Sequence, residues 1–147
     1  MIETNGGILI SQIKQVSSRI FEKLLTDAGV DTFNGAQGRI LYVLWQEDNI
    51  PIVELSKKTG LAKTTLTSML DRMEKSGLVL RVLDKSDRRQ IRIALTGQAR
   101  SLSYAYNKVS SEMNDVFYSG ISYDEIVVFE DTLRHILKNL NESETRL

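Results

Sequence analysis

A chain of 147 residues fits a single domain, or one domain with an added dimerisation arm. At that length roughly 70% of the extended surface can be buried without help from a disulfide or a metal. No Cys is present and only one His, His135, which excludes disulfides, thiol nucleophiles and thiolate zinc sites and argues against a histidine metal site. Net charge is zero, yet Pro51–Thr96 carries ten basic and five acidic residues, whereas the rest carries nine and fourteen.

The elements follow from periodicity. Leu9, Ile13, Val16, Ile20, Leu24 and Ala28 step by three and four, predicting a helix over Ile8–Ala28 that ends at Gly29. Ala36, Ile40, Leu41, Leu44 and Trp45 predict a second over Asn34–Glu47. Asp48-Asn49-Ile50-Pro51 reads as a turn, with Pro51 opening a short helix that stops at Thr59-Gly60. Leu66, Met69, Leu70 and Met73 share one face of the next helix, Ala62–Ser76, which closes at Gly77.

The period then shortens. Leu78–Leu83 and Gln90–Leu95 read as two strands around the polar connector Asp84-Lys85-Ser86-Asp87-Arg88-Arg89, a hairpin with a basic tip. Thr96 is placed as the N-cap of one continuous helix, Gly97–Tyr118, with the stripe Ala99, Leu102, Ala105, Tyr106, Val109, Met113 and Val116. Ser122 and Glu125 have capping-box spacing before a last helix through Leu140.

The fold class predicted is mainly α with a small β-hairpin wing: a winged helix-turn-helix with long N- and C-terminal helices. The second helix of such a motif fits a DNA major groove and the hairpin reaches an adjacent one. A cationic middle suits that partner, because neutralising phosphates releases counterions. On the Ala62–Ser76 helix, Thr64, Thr67, Ser68, Asp71 and Lys75 point away from the apolar face, with Lys63 and Arg72 beside them. Four hydroxyls, at 64, 65, 67 and 68, lower helix propensity but bring small donors near base edges and phosphates. At the hairpin tip, Asp87 can hold the guanidinium of Arg89 for a narrow minor groove.

These same residues carry a resemblance. Asp87-Arg88-Arg89, followed at a fixed distance by Leu95-Thr96, is similar to the wing signature of MarR-type transcription regulators. Leu66 to Gly77 resembles their recognition helix and its exit. The resemblance implies a dimeric regulator on pseudo-palindromic DNA, with a winged lobe over about 34–96 and dimerisation helices over about 8–28 and 97–141. It implies Lys63, Thr64, Thr65, Thr67 and Ser68 at the major groove. Arg89, with Asp87, is implied at the minor groove, and Arg72 and Arg88 at phosphates or neighbouring base edges. Family members are often released from DNA by small aromatic ligands. Phe33, Tyr42, Trp45, Tyr104, Tyr106 and Phe117 are enough to line a crevice for one, or are plain core.

No catalytic constellation is visible, so a non-enzyme without cofactor or metal is expected. The alternative is a winged-helix module that binds protein and not DNA. No apolar run approaches the ~20 residues of a membrane span, and MIETNGG lacks a basic leader region. A soluble, cytoplasmic protein with no membrane partner is expected.

Overall fold

A computed structural model describes residues 2–147. The elements run α1 (Gly6–Asp27), α2 (Gly35–Gln46), β1 (Ile50–Pro51), α3 (Ile52–Thr59), α4 (Lys63–Lys75), β2 (Val79–Leu83), β3 (Ile91–Leu95), α5 (Gly97–Arg100), α6 (Ser103–Phe117) and α7 (Tyr123–Thr145). The chain divides into two compact units, one ending at Met113 and the other spanning Asn114–Leu147. The fold class is the expected one, mainly helical with a small antiparallel sheet.

In the first unit a single apolar cluster joins every layer. Ile40, Leu41 and Leu44 of α2, Leu55 of α3, and Leu66, Leu70 and Met73 of α4 meet Val79 and Ile93 of the sheet. Phe21 and Leu25 of α1 and Tyr106 and Val109 of α6 extend it. Gly38 lets α6 come this close, since a Cβ there would lie 2.6 Å from Cε1 of Tyr106.

Two expectations are corrected. The turn before α3 contains a strand: Ile50 pairs with Ile93 and Pro51 with Arg92, which makes the sheet three-stranded in the order β1-β3-β2. Pro51 is tolerated there because β1 lies at the sheet edge. The long helix from Gly97 is broken into α5 and α6. Ala99 O, the carbonyl that a continuous helix would offer to residue 103, accepts instead from Trp45 Nε1 at 3.0 Å and Leu102 N at 3.2 Å. Ser101 and Ser103 add side-chain bonds to Gln98 O and Arg100 O, local competitors of helical bonding.

The caps behave as read. Thr96 Oγ1 accepts from Ala99 N at 3.1 Å and donates to Gly77 O at 2.7 Å, tying α5 to the exit of α4. In the second unit Ser122 Oγ accepts from Glu125 N at 3.2 Å, while its hydroxyl donates to Glu125 Oε1 at 3.0 Å, so the cap forms without the backbone half of the box. There Tyr118 donates to Glu130 at 2.6 Å, and burial together with that carboxylate pushes its hydroxyl up to about 12.

Candidate nucleic-acid interface

The turn between α3 and α4 sets the pose of α4. Gly60 closes α3 in the left-handed region at φ 73°, where a side chain would be strained. Ser56 Oγ donates to Leu61 O at 2.7 Å and Thr59 Oγ1 accepts from Leu61 N at 3.3 Å. Leu66, Met69, Leu70 and Met73 are all buried, which turns the opposite face of α4 outward. Lys63, Thr64, Thr65, Thr67, Ser68 and Arg72 are all exposed, as their spacing predicts. No side chain caps the first turn of α4 at Ala62, so its N–H groups remain available to an anion.

A clamp on this helix was not visible in the sequence. Arg81, on β2, donates to Asp71 at 2.7 Å and Glu74 at 2.9 Å, and more weakly to Thr67 O at 3.4 Å. It fixes α4 against the wing and offsets two carboxylates on a face that would otherwise repel phosphate.

At the wing tip, Asp87 Oδ1 accepts from Arg89 N at 3.0 Å and from Arg89 Nε at 3.2 Å. The brace is therefore formed, while the Arg89 side chain stays 92% exposed. Arg88 is exposed beside it. Behind them Asp84 is buried and caps the turn, accepting from Ser86 N at 2.9 Å, Ser86 Oγ at 2.7 Å and Asp87 N at 3.2 Å. The bonds from Ser86, then the guanidinium of Arg92, hold its carboxyl well below the usual carboxylate range.

Phe33, Trp45 and Tyr106 pack together in the core of the first unit. Phe33 and Tyr106 are buried and Trp45 is half-buried, with ring centroids 5.3–6.4 Å apart. Tyr104 is 80% exposed, and Phe117 meets Tyr118 edge to face in the second unit. An open cavity of about 140 Å³ lies instead between α1 and α2, lined in part by Lys14, Ser18, Phe21, Glu22 and Arg39. Among the described residues no cluster of three or more His, Cys, Asp or Glu is placed to hold a metal ion. No helix there is long and apolar enough to cross a membrane.

Three helices in tight succession, with a basic hairpin after the third, define a winged helix-turn-helix. The sequence model of the MarR family matches residues 33–91. The HTH-type transcriptional regulator TtmR of Methylorubrum extorquens is 41% identical over 102 residues, covering 69% of this chain and 51% of its own. The uncharacterized HTH-type regulator YsmB of Bacillus subtilis is 38% identical over 91 residues, covering 61% of this chain and 62% of its own. The matched region thus spans only about half to three-fifths of these relatives. A cysteine-to-serine mutant of MarR from E. coli, solved in complex with operator DNA, superposes with a TM-score of 0.79 at 26% identity, over 89% of this chain and 92% of that one. The winged-helix segment belongs to the MarR family, and the fold around it is that of MarR-family regulators.

Proposed function

We propose that the protein is a sequence-specific, DNA-binding transcription regulator that represses as a homodimer on pseudo-palindromic operators. The observation that carries this reading is one lobe presenting two readers at once: the exposed hydroxyl face of α4, flanked by Lys63 and Arg72, and the braced Arg89 of the wing. Lys63, Thr64, Thr65, Thr67 and Ser68 enter the major groove. Arg72 and Arg88 meet phosphates or adjacent base edges, and Arg89, held by Asp87, enters the minor groove. The DNA complex of the MarR relative from E. coli supports the same use of the fold. The winged lobe covers about 34–96, and binding of chromosomal DNA places the protein in the cytoplasm.

The helices over about 8–28 and 97–141 serve the dimer. Ile8, Leu9, Ile13 and Val16 of α1 and Val128, Leu137 and Leu140 of α7 are exposed in the single chain. Such rows of large apolar side chains are covered in an assembly.

Arg89→Ala is expected to weaken operator binding by about 1–3 kcal/mol, the scale of a good charged groove contact. Fluorescence anisotropy at moderate salt measures it. Unchanged affinity would remove the wing from the interface. We propose further that a small aromatic acid releases the DNA by favouring a pose in which the two α4 helices miss successive grooves. The packing of Phe33, Trp45 and Tyr106 into the core moves the candidate site away from them, and the cavity between α1 and α2 carries Lys14 and Arg39 for a carboxylate. Titration of salicylate into the protein–DNA complex checks this, and DNA that stays bound at millimolar salicylate-like acids counts against it.

A further inference from the structure

The hairpin beyond Arg92 is a two-stranded ribbon. β1 reaches only Ile93 and Arg92, so the stretch that carries Arg89 has no third strand beside it. One guanidinium replaces that support. Arg92 Nη1 donates to Asp84 Oδ2 at 3.0 Å, the carboxylate whose other oxygen caps the tip turn. Arg92 Nη2 donates to Asn49 O at 2.7 Å, and its Nε lies 3.2 Å from both Asn49 O and Asn49 Oδ1.

The far end of this bracket is itself anchored. Asn49 sits in the left-handed region at φ 55°. The preceding Asp48 accepts from Asn49 N at 2.7 Å, from Leu95 N at 2.8 Å and from Arg100 of α5 at 3.0 Å. A fixed turn, a guanidinium and the carboxylate that shapes the wing tip therefore form one continuous polar chain. Arg89 sits in the tip turn three residues before Arg92, at most roughly 10 Å away at about 3.3 Å per extended residue, so a tilt of about 10° would move the tip by up to nearly 2 Å. That displacement is enough to lose a hydrogen bond.

We propose that Arg92 is a positioning residue for DNA recognition: by joining Asp84 to the Asp48–Asn49 turn, it aims Arg89 at the minor groove. The inference rests on the DNA-binding reading above. It assigns Arg92 a role through Arg89 and not through a phosphate contact of its own.

A double-mutant cycle tests it, read as anisotropy of a labelled duplex that the wild-type protein has enriched from a random-sequence pool. Arg92→Met, which keeps the apolar stem, is expected to weaken binding about 10-fold in the wild-type background and less than about 2-fold when Arg89→Ala is already present. Asn49→Gly keeps the accepting carbonyl and the left-handed turn, so it is expected to bind within about 2-fold of wild type. Thermal unfolding is followed for each variant. If Arg92→Met does not fold, Asp84→Asn, which keeps the turn cap and turns an amide toward the guanidinium, carries the same cycle. Equal losses in both backgrounds would overturn the proposal, because Arg92 would then be making its own contact. So would an effective Arg89→Ala beside a silent Arg92→Met, with the DNA-binding reading intact. A silent Arg89→Ala removes the wing and the bracket together, and a wild-type chain that enriches no duplex removes the DNA-binding reading and the proposal with it.

Discussion

Leu70→Ala is expected to lower the free energy of unfolding by about 2–5 kcal/mol, the cost of a buried leucine replaced by a cavity. Leu70 is fully buried on the inner face of α4, in the cluster shared by α2, α3 and the sheet. Its loss also unseats the helix that presents Thr64, Thr67 and Ser68, so DNA affinity should fall under conditions where the chain is still folded. Urea denaturation gives the first quantity and a binding titration the second. A loss below about 1 kcal/mol would mean that α4 is not seated by this face, and its outward residues would lose their claim to the groove.

The second large effect concerns assembly. Leu137→Glu combined with Leu140→Glu should yield a folded monomer, because both side chains are more than half exposed in the single chain. Charges there oppose burial in a dimer, and neither position belongs to the apolar cluster of the first unit. With one lobe per particle in place of two, operator affinity should drop roughly 100- to 10,000-fold. Sedimentation and the same titration measure both. A double variant that still sediments as a dimer, with affinity unchanged, would remove α7 from the interface.

The sequence made some elements legible and hid others for definite reasons. Helix α4 was readable because Leu66, Met69, Leu70 and Met73 follow a strict helical period, and burying them dictates which residues face out. The brace between Asp87 and Arg89 was readable because its partners lie two residues apart. Strand β1 was not, because two residues ending in a proline carry no alternation; it exists only through its pairing with Ile93 and Arg92. The break after Arg100 was hidden because the apolar period runs unbroken through Leu102 and Ala105. Its cause, the indole of Trp45 on Ala99 O, lies 54 residues away. Arg81 and Arg92 counted only as positive charge in the sequence. Their partners, from Asn49 to Asp84, are set by tertiary folding and change both arginines from free cations into fastenings.

Sequence-specific DNA recognition by two lobes is best tested by selecting duplexes from a random-sequence pool with the wild-type protein and measuring affinity across a salt series. The expected result is an enriched pseudo-palindrome with half-sites about one helical turn, ~34 Å, apart. Affinity should also fall log-linearly with salt, with a slope reduced by about two, one phosphate contact per protomer, when Arg72 is replaced by Ala. Enrichment of no sequence, together with an affinity that ignores salt, would contradict it.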